Sequence, residues 1–305
     1  MNNLKPEQLN TALREETQKN QTRYALKGVF YIILAAFFYS LMSLFVRLSG
    51  DLPTFQKSFF RNLVATFVAL ALLIKSGSLK MQKGSLPALL GRAIAGTVGI
   101  LCNFYAIDHM NISDASILNK LAPFFAIIFS VFLLKEKASV KEWLFVALAF
   151  VGALFVVKPS FDFSKSGPAL LGVLGGLGAG LAYTFVRYLG KKGERTAFIV
   201  FFFSAFSCLS VLPMVIFQYE PMTCAQLGFL LLAGCAASGA QFSVTAAYSC
   251  AAAKDISVYD YSQVLFTALW GALFLSEYPD IYSVIGYFII IGAAVLKYLT
   301  ARKKR

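Results

Sequence analysis

The sequence predicts an all-α integral membrane protein with ten transmembrane helices in two inverted repeats of five. Hydrophobic residues make up 58% of the chain and charged residues only 14%, whereas soluble proteins average about 45–50% and about 25%. The uncharged apolar runs are roughly 18–25 residues long, which matches the hydrocarbon thickness of a bilayer. A soluble chain of 305 residues could not shield this much apolar surface from water. We therefore expect the lipid bilayer to be its surroundings.

A five-segment hydrophobic pattern occurs twice, and both copies end on similar residues. The first closes on Phe-Leu-Leu-Lys-Glu at 132–136 and the second on Leu-Phe-Leu-Ser-Glu at 273–277, each followed by a last apolar run. Because five is an odd number, the second copy would cross the membrane upside down relative to the first. Inverted repeats of this kind place a binding site near the bilayer midplane.

The ten spans are joined by short connections that carry turn residues, such as Gly50-Asp51-Leu52-Pro53. We predict spans near 27–47, 54–74, 86–107, 113–134, 141–158, 168–189, 196–218, 224–249, 255–275 and 281–299. The corresponding division of the chain is a polar cytoplasmic tail at 1–26, a first repeat at 27–158, a linker at 159–167, a second repeat at 168–299 and a basic cytoplasmic tail at 300–305. No small-residue cleavage site follows the first apolar run, so we expect that run to be retained as a helix.

The positive charge is distributed unevenly between the two sides of the predicted membrane. The net charge is +13. One side collects 22 of the Lys and Arg residues, including both termini, and the other collects 5. Cytoplasmic loops retain such an excess, so both termini are predicted in the cytoplasm. The same distribution argues against nucleic-acid binding through a basic patch.

Several function classes lack the residues that they need. The five cysteines form no C-x-x-C pair, and His109 is the only histidine, which argues against a zinc site, a disulfide frame or a His-based triad. The glycine run in the sixth span has no preceding strand, so it is not a phosphate loop. We therefore predict no metal, no cofactor, no direct use of ATP and no enzymatic activity.

Four charged residues stand out within the predicted spans, where charge is costly and marks function. They are Arg61, Arg92, Lys120 and Asp260. Arg92 lies near a loop and snorkelling offers an alternative for it, whereas the short side chain of Asp260 has little reach. Three cations against one anion suggest a pocket that tolerates a carboxylate on its ligand.

Pro123 lies in the middle of the predicted fourth span, where its ring would displace the carbonyl of Asn119. Broken helices at membrane depth usually line a cavity. Asn119 and Lys120 would flank this kink, and a shift of 141 residues places Asp260 and Tyr261 at the matching positions in the ninth span. The alternative is that the kink serves only the packing of the helices.

Polar aromatic residues, amides and one serine on five predicted spans complete the candidate lining. Aromatic rings stack on flat groups or cations, and amides fix the orientation of a ligand; each alone is also suited to contacts between helices or at the membrane interface. They are Tyr39, Ser43, Asn103, Tyr105, Tyr183, Gln241, Tyr259, Gln263 and Trp270.

An ordered set of motifs resembles the drug/metabolite transporter superfamily, and in particular its EamA-type members. The motifs are Lys57-Ser58-Phe59-Phe60-Arg61, the stretch from Asp114 through Pro123 to Glu136, and the related stretch from Tyr259 to Asp280. The resemblance covers roughly residues 28–299. It implies ten helices in two inverted units and carriage of a small organic molecule across a bacterial inner membrane. The Phe-Phe-Arg and Glu-Tyr-Pro-Asp stretches are most similar to the subgroup containing S-adenosylmethionine uptake carriers.

The expectation is a secondary transporter that works by alternating access, as a monomer or a homodimer. Coupling to a proton through Asp260 and exchange against a counter-solute are both open. An exporter of amino acids or drugs fits the same architecture, and a non-transporting membrane scaffold or sensor is the alternative from another class.

Overall fold

The computed structural model describes residues 6–77, 80–109, 118–157, 166–276 and 278–303, and this part of the chain is helical, without strands. Ten main helices follow one another: α1 Pro6–Leu48, α2 Thr54–Lys75, α3 Leu86–His109, α4 Ala122–Leu134, α5 Val140–Val157, α6 Ser166–Lys191, α7 Thr196–Phe217, α8 Cys224–Cys250, α9 Ser262–Phe274 and α10 Ile281–Lys303. A helical turn at Ala253–Ile256 and a 3₁₀ segment at Ser257–Tyr261 precede α9. Because α1 begins at Pro6, much of the region predicted as a tail is helical.

Eight of these helices are long and apolar enough to cross a membrane. The exceptions are α4 and α9, with 13 residues each; at 1.5 Å per residue they span only about 20 Å of a hydrocarbon core about 30 Å thick. Large apolar side chains, among them Phe30, Phe132 and Phe217, point outward from the bundle. This outer surface suits contact with lipid.

The structure corrects the predicted position of Pro123. The residue lies in the first turn of α4 and not in the middle of a helix, because residues 120–121 form a turn that ends the preceding helical residues 118–119. Proline is tolerated in a first turn, since the N–H that it lacks would have no partner there. The predicted kink is therefore a break in the helix. Residues 110–117 of the predicted fourth span, the linker residues 158–165 and Glu277 lie outside the described residues.

The helices pack in a pattern that is preserved when the two halves are exchanged. The most extensive contacts are α1 with α8 and α3 with α6, and these two pairs are counterparts under exchange of the first five helices with the last five. The pairs α2–α7 and α5–α10, each of which is its own counterpart, are also in contact. Every one of these contacts joins the first repeat to the second. The halves therefore interlock as two related bundles that share one core.

The crossing of α3 and α6 is close because glycines face each other there. A Cβ atom added at Gly178 would lie 2.7 Å from the Ala95 carbonyl oxygen and 2.8 Å from Gly99 Cα. Small residues let helix backbones approach in this way in membrane proteins. The crossing brings the middle of α3, with Arg92 one turn away from Gly96, against the second repeat.

Candidate functional site

A group of charged and polar side chains lies where the breaks before α4 and α9 meet. The Lys120 ammonium donates a 2.7 Å hydrogen bond to Gln263 Oε1 and lies 3.7 Å from the Asp260 carboxylate. The Tyr261 hydroxyl donates a 2.9 Å hydrogen bond to the Lys120 carbonyl oxygen. The Lys120 and Asp260 side chains are only 16% and 15% exposed. Lys120 belongs to the first repeat and its three partners to the second, so the group spans the boundary between them.

Tyr261 and Lys120 are also equivalent positions of the two repeats, being 141 residues apart. A contact between equivalent positions lies on the local axis that relates the halves. The same contact satisfies a carbonyl at the break before α4, which membrane-embedded backbone requires. The break thus finds its partner across the repeat boundary.

Three tyrosines from three helices adjoin this group. The rings of Tyr183 and Tyr248 stack with 4.6 Å between their centroids, and the Tyr39 hydroxyl lies beside that of Tyr183. All three hydroxyls are within electrostatic range of Asp260. Together α1, α6 and α8 place aromatic faces and hydroxyl groups around one carboxylate.

Two buried arginines form the other part of the cluster. The Arg92 side chain donates a 3.2 Å hydrogen bond from Nη2 to Gln241 Oε1, and its guanidinium carbon lies 3.8 Å from the centroid of the Phe203 ring. Arg61 lies within electrostatic range of both Arg92 and Tyr39. Arg92 is 3% exposed and Arg61 is 9% exposed, so snorkelling to water does not account for either arginine in this structure.

Three of the predicted lining residues lie elsewhere. Tyr105 is 44% exposed, and its ring stacks on His109 at 3.9 Å on the outer surface of α3. The indole of Trp270 donates a 2.9 Å hydrogen bond to Ser40 Oγ, which pins α9 to α1. Tyr259 packs into the apolar core near Asp255. A predicted span shows that a residue lies on a helix but not which face of the helix carries it, so the sequence could not separate these three residues from the others.

Three further predicted residues lie near the cluster without joining its hydrogen bonds. Ser43 Oγ donates a 3.0 Å hydrogen bond to the Tyr39 carbonyl on the same helix. Asn103 is half-buried, and its Oδ1 atom is buried with no hydrogen-bond partner among the described residues. Asn119 is half-buried in the break before α4.

Sequence reasoning did not select Tyr248 and Phe203, although both belong to the site. Tyr248 is 1% exposed and Phe203 is 1% exposed. Tyr248 is an isolated polar aromatic residue among small residues of α8, and that isolation is a usable signal. Phe203 stands in a run of three phenylalanines, and only tertiary structure distinguishes the one that meets Arg92.

One end of the bundle is closed by ion pairs between the repeats. Glu136, just beyond α4, accepts hydrogen bonds from Arg187 Nε at 3.0 Å and from Lys191 Nζ at 2.6 Å, both on α6. Burial raises the pKa of Glu136, but the hydrogen bonds and charges of Lys191 and Arg187 outweigh it, so this pKa lies below its ordinary value. At the same end, Lys297 of α10 lies 3.7 Å from Glu142 of α5.

The side chains of the cluster are suited to binding a polar solute. They offer cations, one carboxylate, an amide and aromatic faces, which are the groups that fix the orientation of a small ligand. Within the described ranges, no group of three or more His, Cys, Asp or Glu residues could hold a metal ion.

The chain is similar to transport proteins over most of its length. It is 33% identical over 270 residues to the pseudopaline exporter CntI of Pseudomonas aeruginosa (strain UCBPP-PA14), covering 88% of this chain and 94% of that protein. It is 27% identical over 297 residues to the human solute carrier family 35 member G1, covering 90% of this chain and 81% of that protein. A solved crystal structure with 16% identity superposes with a TM-score of 0.80 over 91% of this chain and 98% of that chain, which shows the fold alone.

The family assignment rests on two matches in the one chain. The model of the EamA-like transporter family matches residues 26–158 and again residues 167–299, so each half of the bundle is one copy of the same unit. With its eight membrane-length apolar helices, the chain is a multi-pass membrane protein that belongs to the EamA-like transporter family.

Proposed function

We propose that this chain is a secondary carrier that moves a small organic solute by alternating access, through a site between its two repeats. The observation that carries the proposal is the buried cluster of Lys120, Asp260, Arg61 and Arg92, whose contacts cross from one repeat to the other. Charge at membrane depth is costly unless it serves a pathway. A solute that contacts both halves couples its own binding to their relative movement.

The ion pairs at one end of the bundle support a closed gate on that side. Glu136 with Arg187 and Lys191, and Glu142 with Lys297, join α4 to α6 and α5 to α10 across the repeat boundary. Opening a path from this end would separate these pairs. By the distribution of Lys and Arg this end is cytoplasmic, as are both termini.

The inverted arrangement follows from an odd number of crossings per repeat. Exposed positions just beyond α4 and α9 are Lys137 and Tyr278. In a variant with the five native cysteines replaced, Lys137→Cys and Tyr278→Cys are expected to react with an impermeant maleimide from opposite sides of the membrane. Labelling of both positions from the same side would contradict the inverted repeat.

We propose export as the direction, because the relative that is 33% identical is described as an exporter. S-adenosylmethionine uptake, which the motif resemblance implies, is the competing prediction. The test is solute flux in proteoliposomes loaded with a bacterial metabolite extract, with the solutes that leave identified by mass spectrometry. Radiolabelled S-adenosylmethionine forms a second arm, and amino acids a third.

The expected result is protein-dependent loss of a defined solute, abolished in Asp260→Asn. A proton gradient that accelerates the flux would support proton coupling, whereas a requirement for an external solute would support exchange. Flux in no arm would contradict the carrier and favour the scaffold. Flux of S-adenosylmethionine alone would overturn the proposed export of another metabolite.

A further inference from the structure

The two arginines of the cluster lack the counterion that buried charges require. Arg61 and Arg92 influence each other as like charges, and neither has a carboxylate within ion-pair distance in the described part of the chain. The Asp260 carboxylate is paired with Lys120. A buried charge without a partner is strongly unfavourable, and two adjacent ones are more so. Such a pair is retained only where something else supplies the negative charge.

The hydrogen-bonding atoms of these arginines point to the same conclusion. The Nε atoms of Arg61 and Arg92 are both buried and have no hydrogen-bond partner among the residues that the structure describes, although buried donors are nearly always satisfied. No described residue accepts a hydrogen bond from Arg61. Two unused donors on side chains that are 91% or more buried mark a place for an acceptor from outside the chain.

The position of Arg92 is built by its neighbours. The ring of Phe203 covers one face of its guanidinium and the Gln241 side chain accepts a hydrogen bond from Nη2. Neither neighbour uses the Nε–H donor, which can therefore bind another group. A Cβ atom at Gly96 would collide with Arg92 Nη1 and would lie 2.8 Å from the Phe203 ring. The absence of a side chain at Gly96 therefore makes room for the stacked arrangement.

Resting on the proposed carrier function, we infer that Arg61 and Arg92 form a subsite for a carboxylate group of the transported solute. Guanidinium groups bind the two oxygens of a carboxylate in a paired geometry. Tyr39 and Tyr183 lie within electrostatic range of both Arg92 and Asp260, and aromatic faces together with a carboxylate attract a cation. A solute that carries both a carboxylate and an amine, as amino acids and their derivatives do, matches both parts. The Asp260 charge would disfavour a doubly charged phosphate.

The test uses a simple carboxylate, so that it does not depend on knowing the natural solute. The melting temperature of the purified protein is measured in sodium acetate, sodium chloride and sodium phosphate at equal ionic strength. Acetate is expected to raise the melting temperature of the wild type, because a ligand that binds only the folded state stabilises it. Arg61→Gln and Arg92→Gln are each expected to weaken the apparent acetate affinity by about tenfold or more, the loss expected for a charge-assisted hydrogen bond.

The controls separate this site from a general salt effect and from misfolding. Arg47→Gln removes an exposed arginine outside the cluster and is expected to keep the acetate response. Without acetate, Arg61→Gln is expected to melt no lower than the wild type, because it loses an uncompensated buried charge. Arg92→Gln also loses the contacts with Gln241 and Phe203, so its acetate response is measured relative to its own melting temperature without acetate.

Three outcomes would overturn the carboxylate subsite: no acetate stabilisation of the wild type, an acetate response that survives in both cluster variants, or a larger response to phosphate than to acetate. The flux assay is read separately. A wild type that binds acetate at these arginines but moves no solute would leave the subsite standing and refute the carrier.

Discussion

The two repeats have similar backbone geometry, but they contribute different side chains to the candidate site. Both α4 and α9 are 13 residues long and follow a break. Both are followed by a residue with positive φ, Lys135 at 53° and Ser276 at 56°, which are 141 positions apart. At the breaks themselves, however, Lys120 of the first repeat corresponds to Tyr261 of the second. The same local geometry therefore presents a cation in one half and a phenol in the other.

The paired helices α2 and α7 differ in the same way. Both contain 22 residues, and they begin at Thr54 and Thr196. Around the position of α7 that corresponds to Arg61, the second repeat has only phenylalanines, at 201–203. The first repeat supplies the cations of the cluster, whereas the second supplies its carboxylate, its amides and the ring that covers Arg92. Neither repeat carries a complete site. Under the alternating access that we propose, the similar halves would adopt two alternative arrangements, and their different side chains would let a solute contact both.

The largest expected effect comes from breaking the charge pair between the repeats. Asp260→Asn leaves the Lys120 ammonium without its counterion, and we expect transport to fall by about 30-fold or more, equivalent to about 2 kcal/mol. The measurement is solute flux in proteoliposomes at a fixed amount of inserted protein. The double variant Lys120→Asp with Asp260→Lys restores the pair in the opposite order and should recover part of the flux. Equal flux in wild type and Asp260→Asn would show that the ion pair between Lys120 and Asp260 has no role in transport.

A smaller effect is expected at the close crossing of α3 and α6. Gly178→Ala pushes a methyl group against the backbone of α3, and overpacking of this kind costs about 1–3 kcal/mol. At the counterpart crossing of α1 and α8, a Cβ at Gly239 would lie 3.0 Å from the Phe38 ring, and a ring can shift where a backbone cannot. Gly239→Ala should therefore destabilise less.

Thermal unfolding in detergent compares the two glycine variants. Gly292→Ala in α10 is the matched control, because no atom lies within 4 Å of a Cβ at that position. It should be neutral or slightly stabilising, since alanine favours a helix by about 1 kcal/mol over glycine. A melting temperature for Gly239→Ala below that of Gly178→Ala would contradict the prediction that an added methyl group is tolerated less well at the crossing of α3 and α6.

The Glu136 ion pairs predict a pH-dependent contribution to stability. Because the folded pKa of Glu136 lies below its ordinary value of 4.5, the ionised carboxylate stabilises the fold fully above that pH. This contribution is lost as the pH falls through the lower folded pKa. Glu136→Gln should cost about 1 kcal/mol at pH 7.

Melting temperatures of wild type and Glu136→Gln between pH 3 and pH 7 should converge at the acidic end, given the usual range of carboxylate pKa values. A constant difference across the range would indicate that the carboxylate charge is not responsible. Glu277→Gln is the corresponding change in the second repeat, and it tests whether the Glu277 carboxylate contributes to stability in the same manner.

The smallest effect is expected at Tyr105, which lies outside the cluster. Tyr105→Ala removes an exposed ring stacked on His109, and we expect flux to change by less than about twofold, as is usual for surface substitutions. Tyr183→Ala is the contrasting variant, because it removes the ring that stacks on Tyr248. Loss of flux in Tyr105→Ala would place the pathway along the outer face of α3 instead.

The fold was largely predictable because a membrane constrains it strongly. Apolar runs of membrane length and two matching segment ends predicted ten helices in two repeats, since lipid leaves the backbone few alternatives. The length of α4 was not predictable in the same way. Pro123 was correctly identified as an interruption, but its position in a first turn depends on the turn at residues 120–121 and on the Tyr261 hydroxyl that binds the Lys120 carbonyl.

The site was predictable in its charges and less so in its aromatic residues. Arg61, Arg92, Lys120 and Asp260 were recognisable because each charge inside an apolar span is unusual. In the structure Lys120 lies 3.7 Å from Asp260, and Arg61 lies within electrostatic range of Arg92. Tyrosines and tryptophan are common at membrane interfaces and helix contacts. For that reason Tyr105 and Trp270 could not be distinguished from Tyr39 and Tyr183 by residue type.

The sequence by itself determined that the chain spans a membrane, that it is built from two similar units, and which charges interrupt its apolar segments, because burial in lipid restricts composition residue by residue. Only the tertiary structure decided which side chains meet. The Lys120–Asp260 pair joins residues 140 positions apart, and the hydrogen bond between Arg92 and Gln241 joins residues 149 positions apart. Such contacts depend on the crossing of helices from different repeats, and no local pattern of residues encodes the angle or the face at which two helices cross.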